Sequence, residues 1–126
     1  MKVRDIMRPA ERTISPDTTV AQACAELQRL KAPALPVVDS DQALLGVVTA
    51  AELGRCAPEA APRPVKEYRA TAIVTATPEM DVTRLAEMMR YKGLDRILVL
   101  EARRLVGAVS LADLEGAARA AAPRLG

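Results

Sequence analysis

Gly46-Val47-Val48-Thr49-Ala50-Ala51-Glu52-Leu53 returns 61 residues later as Gly107-Ala108-Val109-Ser110-Leu111-Ala112-Asp113-Leu114. Each stretch carries an apolar, β-prone run into a helix start, with a hydroxyl at the junction and a carboxylate three residues on. Upstream the spacing is 62: Val3-Arg4-Asp5-Ile6 answers Val65-Lys66-Glu67-Tyr68, and Thr13-Ile14-Ser15-Pro16 answers Thr75-Ala76-Thr77-Pro78. Val20 likewise matches Val82 and Val37 matches Val99, so one residue is lost in the second hairpin. A fixed period over nearly the whole chain is a tandem repeat and decides the architecture. Any site built by one half has a quasi-equivalent in the other.

Working outward, Val20, Ala23, Cys24 and Leu27 fall on one helical face, and Val82, Leu85, Ala86 and Met89 repeat the spacing. Thr19 and Asp81 precede these faces as N-caps, and Thr19-Val20-Ala21-Gln22 has a capping-box pattern. Leu35-Pro36-Val37-Val38 and Ile97-Leu98-Val99-Leu100 are nearly continuous apolar runs, which predicts strands buried on both faces. Pro36 cannot donate to a ladder, so it is expected at a strand start or an irregularity. Asp39–Gln42 and Glu101–Arg104 read as hairpin turns, with returning strands over Leu44–Val48 and Leu105–Val109. A helix then begins at Thr49 and ends near Cys56; its counterpart begins at Ser110 and runs to Ala122, where Pro123 stops it. The expected organisation is repeat 1 over residues 1–56, a proline-rich linker over 57–64 and repeat 2 over 65–126. The fold class is mixed α+β, two β-α-β-β-α repeats packed about a pseudo-twofold axis.

The 126 residues make one domain of ordinary size. A half of about 60 residues buries too little surface to stand alone, so the halves are expected to share a core. That core is built without Phe or Trp, and Tyr68 and Tyr91 are the only aromatics. A net charge of +2 is too small to announce a nucleic-acid partner, and the missing aromatics remove stacking platforms for single-stranded bases. Arg outnumbers Lys 14 to 4 and Asn is absent. The absent amide suits a thermophile, while a GC-rich genome accounts for the Arg bias equally well. Cys24 lies on a helix stripe, as a buried thiol would, and it forms no CxxC pair with Cys56. Two isolated cysteines imply a reducing compartment. With no membrane-length apolar run and no signal peptide, the expectation is a cytoplasmic protein without membrane partners.

The repeated Gly-x-Val-(Thr/Ser)-x-x-(Glu/Asp)-Leu has two readings. In the plainer one, Thr49 with Glu52 and Ser110 with Asp113 are capping residues, the acid favouring the positive end of the helix dipole. In the other, free N–H groups and a hydroxyl at a helix start receive phosphate. The nearby carboxylate has acceptor oxygens for both hydroxyls of a ribose. Met88, off the helical stripe, is a candidate dimer contact, and Met89, on it, a core residue. Arg103-Arg104 reads as a solvated turn.

The ordered motifs Val3-Arg4-Asp5-Ile6-Met7, Ser15-Pro16-Asp17-Thr18-Thr19-Val20, Leu35-Pro36-Val37-Val38-Asp39 and Gly46–Leu53, with a second copy over Val65–Leu114, resemble a tandem pair of cystathionine-β-synthase-type domains, the CBS-domain pair or Bateman module. The resemblance covers almost the whole chain and implies a stand-alone, dimer-forming disc that binds adenosine-containing ligands between its repeats and regulates a protein partner. It assigns Asp113 to the ribose, Ser110 to the phosphate side, Arg96 to the phosphates, and Ile73 and Val74 to the adenine wall. Leu98 replaces the family's proline, so the start of that strand is expected to differ. In the first repeat the equivalents are Glu52, Thr49 and Pro36. There Ala34 replaces Arg96, and Glu11 and Arg12 replace Ile73 and Val74. Glu52 is one methylene longer than the family's Asp and is expected to fold back onto its own cap. One good site at Asp113 and a weaker one at Glu52 follow.

The leading expectation is therefore a regulatory module for AMP, ADP, ATP, NAD or S-adenosylmethionine, held as a signal rather than as a cofactor. The competing class is a ligand-free dimerising interaction module in which Asp113 and Glu52 only cap. Catalysis is the least favoured class: with no His there is no His-based acid–base pair or triad, neither Cys has an activating partner, and no metal-ligand cluster is spaced for binding.

Overall fold

The computed structural model describes residues 1–10, 12–71 and 73–121. The first repeat contains α1 (Val20–Leu30), β1 (Ala34–Val38), β2 (Leu44–Thr49) and α2 (Ala50–Gly54). The second contains β3 (Thr75–Ala76), α3 (Val82–Lys92), β4 (Arg96–Glu101), β5 (Arg104–Ser110) and α4 (Leu111–Ala121). Ala122 and Pro123, where α4 was expected to stop, lie outside the described residues, as does Glu11.

Local signals behave as their chemistry requires. Thr19 Oγ1 accepts from the Gln22 N–H at 3.1 Å while Gln22 Oε1 accepts from the Thr19 N–H at 3.0 Å, a complete capping box. Asp81 accepts from the Thr83 and Arg84 N–H groups at the start of α3. Helix α3 ends in a left-handed Gly93 (φ 70°), whereas α1 ends in a left-handed Lys31 (φ 52°). The missing residue shows in the hairpins. In the second, Glu101 pairs with Arg104 across a two-residue loop whose members, Ala102 and Arg103, both have positive φ. In the first, the longer loop is held by Asp39 Oδ1, which accepts from the Asp41 and Ala43 N–H groups.

The chain divides into two compact units that cut across the repeats: Met1–Ala10 with Val74–Gly126, and Glu11–Ile73. The buried side chains form two clusters rather than the one shared core expected. Val3 joins Ala76, Val82, Leu85, Ala86, Met89, Ile97, Val99, Val109 and Leu114 in one. Val65 joins Ile14, Val20, Ala23, Leu27, Leu35, Val37, Val48 and Leu53 in the other. Each cluster is thus completed by the segment that precedes the other repeat in sequence. Cys24 is half-buried against the second cluster rather than fully enclosed. Met89 is wholly buried, as its position on the stripe predicts, and Met88 is half-buried.

The glycines that open the repeated motif seat these docking segments. A Cβ at Gly46 would lie 2.7 Å from the Ala70 carbonyl oxygen, and one at Gly107 2.9 Å from that of Arg8. Val47 exchanges both backbone hydrogen bonds with Ala70, and Ala108 both with Arg8. The proline-rich segment between the repeats is also tied down: Arg63 and Ala61 carbonyls accept from Val20 and Ala21 N–H groups, the otherwise free donors at the start of α1.

Pro36 sits in the interior of β1, not at its start. It is tolerated there because its missing N–H faces the weakest edge. Its carbonyl accepts from Ile14 and the Val38 N–H donates to Ile14, so Pro36's own nitrogen faces that same side. The parallel pairing is therefore reduced to one bridge, Ile14 with Val37, and β1–β2 is a two-stranded sheet. Leu98 restores the donor, and Thr75 and Ala76 pair with Leu98 and Val99 as a true third strand, giving the order β3-β4-β5.

Candidate functional site

The second repeat's residues converge on the end of β5. Ser110 is the last residue of β5, and its Oγ accepts from the Asp113 N–H at 3.1 Å, capping the start of the 11-residue α4. Arg96 opens β4 directly opposite Ser110 in the antiparallel register. Side chains of directly paired residues stand on one face of a sheet, so Arg96 and Ser110 share a face. Leu98 and Ala108, paired two residues along, belong to the same face, while Ile97, Val99 and Val109 are buried on the other. Val74, immediately before β3, leaves 43% of its surface exposed, an uncommon state for valine. Ile73 is half-buried and falls in the other compact unit, so only Asp113, Ser110, Arg96 and Val74 are gathered in one body.

One charged partner was not foreseen. Arg8 pairs through its backbone with Ala108, and its Nε lies 3.7 Å from Asp113 Oδ2. The carboxylate therefore does not close a reciprocal box on its own cap; it faces a guanidinium on the docked N-terminal segment. Asp113 keeps 36% of its side chain exposed and Arg8 76%, so the pair is wet and worth about 1 kcal/mol or less.

The equivalent place in the first repeat is chemically poorer. Thr49 Oγ1 accepts from the Glu52 N–H at 3.1 Å and caps α2, which is only five residues long. Glu52 does not fold back onto the cap as expected; its Oε1 turns to Arg55 Nη1 at 3.6 Å with 62% of the side chain exposed. The extra methylene lets it reach one turn along the helix instead. Ala34 stands opposite Thr49, and Ala70 stands where the second repeat has Arg8. Arg12 is drawn away to Glu26 at 3.1 Å. The Arg29 side chain hydrogen-bonds Glu26 as well, and chiefly these bonds hold the Glu26 carboxyl below the usual glutamate range.

Two shallow hollows lie elsewhere, one in each unit. One is lined by Glu79, Met80, Asp81, Arg84, Leu85 and Met88; the other is lined by the run from Thr13 to Asp17 with Val38, Asp39, Ser40 and Gln42. Asp113 lines neither, so chemistry rather than concavity singles it out. Among the described residues no group of three or more Cys, Asp or Glu side chains is placed to hold a metal, and no helix is long and apolar enough to cross a membrane.

The family model for the CBS domain matches residues 3–56 and 65–119, and the chain belongs to the CBS-domain family. It is 28% identical over 115 residues to the CBS domain-containing protein YhcV of Bacillus subtilis, covering 89% of this chain and 81% of that protein. It is 29% identical over 103 residues to inosine-5'-monophosphate dehydrogenase of Methanocaldococcus jannaschii, covering 81% of this chain but spanning only 20% of the enzyme. The fold is that of solved CBS-domain structures. CBSX2 in complex with AMP superposes with a TM-score of 0.78 at 22% identity, over 94% of this chain and 96% of that one. The CBS domain pair of MJ0100, in complex with 5'-methylthioadenosine and S-adenosyl-L-methionine, gives 0.69 at 22% identity, over 95% and 97%.

Proposed function

We propose that this chain is a regulatory module that binds an adenosine-containing ligand at the second repeat. The observation that carries the reading is local: Ser110 at the start of α4, Asp113 part-exposed one turn on and Arg96 across the ladder. A ribose diol would donate to the Asp113 carboxylate and a phosphate would meet Ser110, the helix start and Arg96. The ligands held by CBSX2 and MJ0100 support the adenosyl class. The first-repeat residues Glu52, Thr49 and Pro36 form the weaker counterpart. The module acts on a protein partner only if its ligand binds two states of the module unequally, since equal binding shifts nothing. A homodimer belongs to the same proposal, and light scattering on the purified chain reads it directly.

The test is a thermal-shift panel of AMP, ADP, ATP, NAD and S-adenosylmethionine against nucleotide-stripped protein and Asp113→Ala. A ligand at a hundred times its Kd stabilises the native state by about 2.7 kcal/mol. The expected result is a shift with one of these ligands that Asp113→Ala abolishes or greatly weakens. If no ligand shifts the wild-type chain, Asp113 serves only the helix start that Ser110 caps, and the ligand-free interaction module becomes the reading to pursue.

A further inference from the structure

The equivalent faces of the two units differ in charge, one carrying two arginines where the other carries two alanines, and the difference comes partly from outside the repeated motif. In the Met1–Ala10 and Val74–Gly126 unit, strand β5 is flanked on one edge by β4 and on the other by the N-terminal segment. Arg96 is opposite Ser110 on the first edge, and Arg8 is opposite Ala108 on the second. Ala108 and Ser110 are two apart on one strand, so Arg8, Arg96 and Ser110 all stand on the same face. The two arginine backbones are two strand spacings, about 10 Å, apart across the sheet and two residues, about 7 Å, apart along it, so about 12 Å in all, a gap that two extended guanidinium side chains can close. In the other unit both positions are alanine, Ala34 opposite Thr49 and Ala70 opposite Val47.

We infer that Arg8 is a specificity-determining residue that directs the Asp113 site to phosphate-bearing adenosine ligands, nucleotides, and against sulfonium or unphosphorylated ones. The inference rests on the reading of Asp113 as the ribose-binding acid. A phosphate group placed over Ser110 has a guanidinium on either edge of the strand, and arginine makes short, bidentate, charge-assisted bonds to phosphate oxygens. A cationic sulfonium in the same place meets two like charges instead. Arg8 is free to make the exchange. Its contact to Asp113 at 3.7 Å is too long for a hydrogen bond and three-quarters of its side chain is in solvent, so little is lost when it turns to a phosphate. Asp113, released from that contact, keeps its acceptor oxygens for the ribose.

Titration calorimetry on the stripped full chain decides this, using adenosine, AMP, ATP and S-adenosylmethionine against wild type, Arg8→Ala and Arg8→Lys. Wild type is expected to bind ATP and AMP more tightly than adenosine or S-adenosylmethionine. Arg8→Ala should weaken ATP about tenfold or more and adenosine less than about threefold, from loss of one charge-assisted bond. Arg8→Lys should keep part of the ATP affinity, because charge survives and the fork does not. The Arg8 side chain is three-quarters exposed and its backbone bonds to Ala108 do not depend on it, so the variants should melt close to the wild type. Equal loss for ATP and adenosine would make Arg8 a support for Asp113 alone and overturn the inference. A gain for every ligand would make it a competitor for the carboxylate and overturn it as well. If wild type binds none of the four, the adenosyl reading itself fails and the inference with it; if it binds them and only the Arg8 pattern is absent, that reading survives.

Discussion

Replacing Gly107 and Gly116 by alanine, one at a time, makes the same chemical change at two places in one unit, and the two should move stability in opposite directions. At Gly107 the new Cβ falls 2.9 Å from the Arg8 carbonyl oxygen and 3.2 Å from Met7 Sδ. The methionine can swing aside. The carbonyl cannot, because Arg8 and Ala108 exchange backbone bonds of 3.0 and 2.8 Å. Relief therefore requires the docked segment to lift by a few tenths of an ångström, and overpacking of this kind costs about 1–3 kcal/mol. At Gly116, within α4, nothing lies within 4 Å of the added atom. There alanine only restricts the unfolded chain and favours the helix, a gain of about 0.8–1 kcal/mol. A chain of 126 residues changes its Tm by about 4 °C per kcal/mol, so Gly107→Ala should lose about 4–12 °C and Gly116→Ala gain about 4 °C. Differential scanning calorimetry, or circular dichroism at 222 nm with heating, reads both. A Gly107→Ala protein that melts at or above wild type would refute the close seating of Arg8 on β5. It would also remove the reason for Arg8 to stand near Asp113.

Two further outcomes follow from particular contacts. Val3→Ala should destabilise by about 2–3 kcal/mol, the loss of two buried methyl groups at about 0.8 kcal/mol each plus the cavity they leave. Urea titration checks it, and a loss below half a kcal/mol would mean that the N-terminal segment is not part of that core. For Glu26, the hydrogen bonds from Arg29 and the charge of Arg12 depress the folded-state pKa. A depressed acid contributes stability above its unfolded pKa of about 4.3 and loses it as the pH falls through the folded value. Wild type should therefore lose stability more steeply than Glu26→Gln as pH drops below about 4.5. Parallel curves for the two proteins between pH 6 and pH 2.5 would show that these exposed pairs are screened to nothing.

The parts of the fold legible in the sequence are those decided within a few residues. The stripes of α1 and α3 and the Thr19, Asp81, Thr49 and Ser110 caps depend on spacing and on short side-chain bonds, and the structure shows them where the spacing puts them. What the residues could not show is pairing between distant backbones. Val3 and Val65 are recognisable as equivalents, yet nothing local says that each completes the cluster containing the other repeat's helices. That is set by Arg8 bonding Ala108 and Ala70 bonding Val47, contacts across 100 and 23 residues of chain. The proline-rich segment shows the same limit. Its composition carries no helical or strand period, yet it forms a 3-10 turn over Pro58–Ala60 and its carbonyls satisfy the first donors of α1.

The candidate site divides along the same line. Ser110, Asp113 and Arg96 were readable because a repeated strand–helix junction and its register bring them together. Arg8 was not, because its neighbour Asp113 is reached only through the docked segment. A signal was nevertheless present: aligning the halves at 62 residues sets Arg8 against Ala70, a change of charge beside an otherwise shared frame. The differences between the halves then fall in one direction. The second has Asp113 for Glu52, Arg96 for Ala34, Arg8 for Ala70, and an 11-residue helix behind its cap where the first has five residues. A longer helix presents a fuller dipole to an anion, a shorter acid reaches less far along the surface, and two guanidiniums supply what two methyl groups cannot. Duplication supplied two equal frames. On the proposed reading, substitutions at three positions and the length of one helix favour the second for holding a phosphate and a diol together.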